Sequence, residues 1–178
     1  MARIGEPVSL VHEITEVHRR VLRACGPVLR FERAANASMP VVANLFGTAE
    51  RVAAGFGVAS HGVVELGEML AALREPAPLD GLRDALGRWP MIRAALATRP
   101  DPIARPDCQQ ERRIGGDVDL GKLPIQTCWP GEPAPLITWP LVITRPPDTE
   151  ADDTARMNLG VYRMQVLGKD RAIMRWLA

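Results

Sequence analysis

Proline placement constrains this 178-residue chain more than any other feature. Most of the 16 prolines lie after Arg74, in pairs or alternations: REPAPL (74–79), RPDPIARP (99–106), WPGEPAPL (129–136) and TRPPD (144–148). Each proline fixes φ and removes a backbone donor, so neither a long helix nor a central sheet strand runs through those segments. The second half therefore reads as short strands joined by extended connectors, while the first hundred residues can build helices.

The early periodicity agrees. Leu10, Val11, Ile14, Val17, Val21 and Leu22 recur at helical spacing behind Ser9, the expected N-cap. Glu13 lies early, Arg19, Arg20 and Arg23 late, and Gly26-Pro27 supplies the stop. PVLRFE and MPVVANLFG read as neighbouring strands. Thr48 is placed to cap AERVAAGFG, and VVELGEMLAALRE, LRDALGRW and MIRAALA add helical stretches. From CQQERRI onward no helical period survives. The expected fold class is α+β, with an N-terminal α+β domain over 1–104 and a strand-built domain over 105–178.

Charge and cysteine usage narrow the function classes. With 22 basic against 21 acidic residues the net charge is +1, which gives no general attraction to nucleic acid or to an anionic membrane. Hydrophobic residues make up 47%, too many for a disordered chain. Cys25, Cys108 and Cys128 are widely spaced, without a Cys-x-x-Cys pair, as expected of free thiols in a reducing cytosol. No apolar region follows Arg3, and no later stretch approaches the roughly 18–20 apolar residues of a membrane span. A soluble cytoplasmic protein is expected.

Few residues carry an obvious chemistry. His12 and His18 are six positions apart, so they do not share a helix face as zinc-binding i, i+4 histidines do, and solvated or interfacial roles are expected. His61, after Ser60, reads as a polar residue of a loop or of a helix start. Gly47, Gly55 and Gly57 lack dinucleotide-binding spacing and suit a capped helix with a glycine stop. RFER and ERRI mix charges and read as solvated faces. Trp129 and Trp139 bracket a proline-rich turn near Thr127, Thr138 and Thr144. They either line a pocket for a flat aromatic ligand or pack on their own strands.

The densest polar placement is MNLGVYRMQVLGKDRAIMRWLA (157–178), read as a strand, a turn at Gly168-Lys169-Asp170 and a second strand. In a strand Asn158, Gly160 and Tyr162 face one way, with Leu159, Val161, Arg163 and Gln165 opposite. The Asn158 carboxamide oxygen suits a hard divalent ion, Gly160 admits a close approach to the backbone, and Arg163 and Arg175 suit a phosphate or carboxylate. An ordinary half-buried hairpin is the alternative.

The long segments DVDLGKLPIQTCWPGEPAPLITWPLVITR and NLGVYRMQVLGKDRAIMRWL resemble the UbiD family of prenylated-flavin-dependent decarboxylases, in particular its 3-polyprenyl-4-hydroxybenzoate decarboxylases. HEITEVHRRVLRACGPVLRFE, MPVVANLFGTAERVA and CQQ resemble the same family in the same order. The resemblance implies an N-terminal α+β domain followed by the first part of a split β-barrel holding prenylated FMN, with a divalent metal, usually Mn2+, and K+. It implies Asn158 as a metal ligand. Val161, Tyr162 and Arg163 are implied as one cofactor-binding segment, and Arg175, Trp176 and Leu177 as another. Arg163 is also the implied catalytic arginine, orienting acids and substrate carboxylate.

Other implications concern partners. The expected substrate is a small aromatic acid, a polyprenylated 4-hydroxybenzoate of ubiquinone biosynthesis. A flavin prenyltransferase supplies the cofactor, full-length relatives are homo-oligomers, and the prenylated substrate brings peripheral association with the inner membrane. In the family the segment matching Arg175-Trp176-Leu177 runs into His-Arg-Gly-Gly, whose His is a metal ligand, and then to a Glu ligand, catalytic acids and a C-terminal domain. None is in this sequence, and the start is clipped. Pro140 and Pro146 also stand where relatives often have Gly. The expectation is a truncated piece of a longer carboxy-lyase, inactive alone. The rivals are a non-catalytic assembly module, a decarboxylase of another aromatic acid, and a flavin reductase of split-barrel type.

Overall fold

The computed structural model describes residues 1–75, 78, 81, 86–97, 103–148 and 156–174. They belong to two compact units, one of Met1–Gly47 with Gln110–Ala178, the other of Thr48–Gln109. Helices and small sheets mix throughout, as an α+β chain requires, and among the described residues the sheets close no barrel.

The first unit begins with β1 (Ala2–Val8), crosses through α1 (Glu13–Arg23) and returns as β2 (Leu29–Ala34), parallel to β1; β3 (Val41–Ala43) then adds antiparallel to β2. PVLRFE and MPVVANLFG are thus neighbouring strands, as read. The alternation of β2 explains its place: Leu29 and Phe31 are buried while Arg30 and Glu32 pair with each other at 3.2 Å on the other face. Val8, Ile14, Leu29, Phe31, Ala34 and Val41 form the core, with Phe31 fully buried. The strand β1 has no sequence expectation behind it. Gly5 and Pro7 weaken its pattern, yet Pro7 sits on an edge strand, beside a register shift, where a missing donor is tolerated.

Ser9 does not cap α1. Its Oγ accepts from Val11 N–H at 3.0 Å, its N–H donates to Glu13 Oε2 at 2.7 Å, and the helix starts only at Glu13 behind His12, whose φ is 64°. Leu10 and Val11 are drawn from the helix by a backbone partner distant in sequence. Thr127 N–H donates to the Leu10 carbonyl at 3.1 Å, and His12 N–H donates to the Thr127 carbonyl at 2.9 Å. Within α1, Arg20 bonds Glu16 at 2.9 Å and holds its carboxyl below the usual carboxylate range. Asn44 is buried with φ 60°, and its amide donates to the carbonyls of Gly26 (3.0 Å) and Pro27 (2.9 Å), tying the end of β3 to the stop of α1.

The proline-rich half contributes short strands, as expected. β4 (Leu136–Ile137), β5 (Leu141–Thr144), β6 (Asn158–Val161), β7 (Met164–Val166) and β8 (Ala172–Met174) form a three-stranded sheet ordered β4-β7-β8 and a separate β5-β6 ladder, all antiparallel. The continuous strand read through 158–165 therefore divides at Tyr162-Arg163, with its halves in different sheets. The turn at Gly168-Lys169-Asp170 forms as read, closed by Leu167 N–H on the Arg171 carbonyl at 2.8 Å and anchored by Lys169 Nζ on the Gly116 carbonyl at 2.9 Å.

In the second unit Thr48 caps α2 (Ala49–Phe56) by accepting from Arg51 N–H at 3.4 Å, and Gly57, left-handed at φ 69°, ends it. Next come α3 (Gly62–Arg74), with His61 at its N-cap, and α4 (Trp89–Leu96). Part of LRDALGRW, residues 82–85, lies outside the described residues. No described helix is long and apolar enough to cross a membrane.

Phe31→Ala should cost about 3–5 kcal/mol, the range for emptying a fully buried aromatic site. Asn44→Ala should cost about 1–3 kcal/mol by removing the two hydrogen bonds that the buried carboxamide donates. Urea unfolding of each variant checks both, with the same m value as the parent.

Candidate functional site

The β5-β6 ladder has two faces. Its register pairs Leu141 with Val161, Val142 with Gly160, Ile143 with Leu159 and Thr144 with Asn158. Leu141, Ile143, Leu159 and Val161 share one face and are all exposed. Asn158, Gly160, Val142 and Thr144 share the other. Tyr162 joins that second face, because a Cβ built on Gly160 would lie 2.6 Å from Tyr162 Cε2. The group that approaches the Gly160 backbone is thus the chain's own phenol ring.

Asn158 Nδ2 lies 3.2 Å from the Tyr162 hydroxyl and 3.5 Å from Thr144 Oγ1. Its Oδ1 accepts no hydrogen bond among the described residues. The structure thus brings Asn158 and Tyr162 together, as the strand alternation implied, and adds Thr144. The sequence shows the Thr144 hydroxyl but not its partner, because the antiparallel register that pairs it with Asn158 is not revealed by one strand alone. Val161 lies on the opposite face from Asn158. Arg163 is exposed beyond the end of β6 and makes no ion pair among the described residues. Arg175, Trp176 and Leu177 lie outside the described residues.

The two tryptophans have different partners. Trp139 stacks on Phe46 with centroids 5.9 Å apart and planes at 29°, whereas Trp129 lies under the Arg19 guanidinium at 5.4 Å. The Trp129 turn is fixed by Glu132, whose Oε2 accepts from Cys128 N–H at 2.6 Å and Trp129 N–H at 3.2 Å. Phe46, Val42, Trp139, Leu141 and Val161, with His18, Gln126 and Thr138, border an open groove of about 540 Å³ on the face away from Asn158. The three cysteines are free thiols.

Two family models match this chain. The 3-octaprenyl-4-hydroxybenzoate carboxy-lyase N-terminal domain matches residues 1–70, and the Rift-related domain of the same carboxy-lyase matches residues 102–178. The chain belongs to the UbiD family. Among solved structures it is similar to the UbiD-class enzyme HmfF from Pelotomaculum thermopropionicum in complex with FMN, at 29% identity and TM-score 0.66, over 99% of this chain and 33% of that one. An evolved dimeric form of HmfF in complex with prenylated FMN matches at 28% identity and TM-score 0.67, over 99% of this chain and 35% of the other. Vanillic acid decarboxylase from Sedimentibacter hydroxybenzoicus, in closed form, shares the fold at 21% identity and TM-score 0.71, over 98% of this chain and 34% of that one. The chain thus spans about a third of the length of the structures it matches.

The family implies a divalent ion, and Asn158 Oδ1 fits as one ligand: a neutral, hard oxygen on a regular strand. Among the described residues no three His, Cys, Asp or Glu side chains cluster as a metal site.

The exposure of the apolar face has a direct test. Leu159→Lys should change folding stability by no more than about 0.5 kcal/mol, the usual range for a surface position, while reducing self-association at high protein concentration. Urea unfolding and sedimentation measure the two effects.

Proposed function

We propose that this chain is the N-terminal α+β domain (1–104) and the first part of the flavin-binding barrel (105–178) of a non-oxidative aromatic-acid decarboxylase. The observation that carries the reading is the folded Asn158-x-Gly160-x-Tyr162-Arg163 segment, in which the Asn158 carboxamide meets the Tyr162 hydroxyl at 3.2 Å and Arg163 is exposed, inside a chain matched by both UbiD-family models. Prenylated FMN supplies the electron sink that loss of CO2 from an aromatic carbon demands. The protein's part is positioning and proton delivery.

In this reading Asn158 gives one oxygen to a divalent ion, Mn2+, with K+ nearby. Val161, Tyr162 and Arg163 form one flavin-contacting segment and Arg175, Trp176 and Leu177 a second. Arg163 presents two N–H groups to the substrate carboxylate, which fits a planar anion better than a lysine would. The substrate proposed is a 3-polyprenyl-4-hydroxybenzoate of ubiquinone biosynthesis. The remaining partners are a flavin prenyltransferase, further copies of the chain and, through the substrate's tail, the inner-membrane surface from the cytoplasmic side.

A second reading is a non-catalytic module that pairs with longer subunits. The four exposed apolar residues of the β5-β6 face favour it.

Carbon dioxide release from prenylated hydroxybenzoate and from unprenylated aromatic acids, after loading with prenylated FMN and Mn2+, tests the enzyme reading. Release favouring the prenylated acid is expected, and Arg163→Ala should lower it by about 10²-fold, the cost of misplacing a substrate. Equal release by Arg163→Ala would remove that residue from the site. No release by this polypeptide, with stable capture of a longer family member, would support the module. In a deletion strain the accumulating acid names the substrate.

A further inference from the structure

The groove beside Val161 has a neighbour. The groove itself, of about 540 Å³, is walled by Phe46, Leu141 and Val161, and a second hollow of about 370 Å³ is walled by Met39, Leu123 and Ile137. Gln126, Thr138 and Trp139 border both, so the two form one elongated trough with those three side chains at its waist. The waist is held in place: Leu136 N–H donates to the Gln126 carbonyl at 2.9 Å, and Trp139 stacks on Phe46 with centroids 5.9 Å apart. Trp139 is nevertheless 73% exposed, which leaves most of its ring surface free for a ligand.

The lining selects a chemistry. Among the described residues neither hollow is bordered by an Asp, Glu, Lys or Arg, and His18 is the titratable side chain beside the larger one. A phosphate or a charged peptide would give up its hydration there without an ionic partner. A compact ring would occupy one hollow and leave the other wet. What matches an elongated, uncharged wall of aliphatic and aromatic side chains is a long flexible hydrocarbon. One end of the trough has a fixed charge within reach. Arg163 is exposed and lies two residues past Val161, so their Cα atoms are within about 7 Å of each other.

We infer that the trough holds the isoprenoid tail of the substrate, which runs past Leu141 and Trp139 to Met39. The inference rests on the reading of the substrate as a prenylated aromatic acid with its carboxylate at Arg163, and adds where the tail lies and why its length counts. Each buried methylene is worth about fourfold in affinity. Affinity therefore climbs with the tail until the trough is full and then stops climbing.

Isothermal titration of the 178-residue chain tests this, with 4-hydroxybenzoate and its 3-prenyl derivatives of one to four isoprene units, each kept below its micelle-forming concentration. Affinity should rise at least about tenfold per unit over the first units and then level off. Trp139→Ser should weaken ligands of two or more units by about tenfold and spare 4-hydroxybenzoate, while Met39→Glu should weaken only the longer tails. Both positions are exposed, and unchanged circular dichroism certifies that the variants fold. Arg163→Ala should weaken every acid by one common factor and leave an isoprenoid alcohol of the same length untouched.

Affinity that ignores tail length, or that grows with it equally in Trp139→Ser and Met39→Glu, overturns the tail site, and a loss in Arg163→Ala then leaves the substrate reading standing. Length-dependent binding that those two variants lose, with no effect of Arg163→Ala, keeps the tail site and removes Arg163 as the carboxylate's partner. Phosphatidylglycerol vesicles that displace the acids through the same two side chains would give the trough to membrane lipid and overturn the inference.

Discussion

Two backbone hydrogen bonds at Thr127 hold the larger unit together. Through them the segment Leu10–His12 runs alongside a residue more than a hundred positions later. The same region passes the connection on: Leu136 N–H donates to the Gln126 carbonyl at 2.9 Å, and Val166 N–H to the Pro135 carbonyl at 3.0 Å. A chain of main-chain contacts thus leads from the β1-β2-β3 core to the β4-β7-β8 sheet. Because the contacts are between backbone groups, they tolerate side-chain change. Arg19 over Trp129 and the Phe46-Trp139 stack reinforce the connection with rings that a purely polar loop would lack.

That connection is also what the sequence could not disclose. The helix was legible because its apolar residues repeat at 3.6, its acids precede its bases and Gly26-Pro27 stops it. Its first turn was misplaced because Ser9 is a good cap in isolation, and the competing partner, Thr127, leaves no local mark on Leu10 or Val11. β2 and β3 were legible from alternation and β-branching, but β1 was hidden by Gly5 and Pro7. Thr48 and Gly57 fulfilled their capping roles, since those depend only on near neighbours.

The candidate site divided in the same way. Asn158, Gly160 and Tyr162 sharing a face follows from strand alternation alone. That the gap over Gly160 is filled by Tyr162 does not, because alternation says nothing of how a ring folds back. Nor did the alternation show where β6 ends. Asn158 through Gln165 keeps its period without interruption, yet β6 bonds to β5 and β7 to β4 and β8. Only pairing partners, not side-chain order, distinguish one long strand from two short ones.

The break at Tyr162-Arg163 has a mechanical consequence. These two residues lie at a corner between two ladders, each stiffened by its own cross-strand bonds. The angle between the two ladders is set by the backbone torsions of that corner, which also aim the phenol and the guanidinium it carries. Side chains at such a pivot are set by the angle between two sheets, so altering a ladder far from Arg163 would re-aim it as surely as replacing its neighbours.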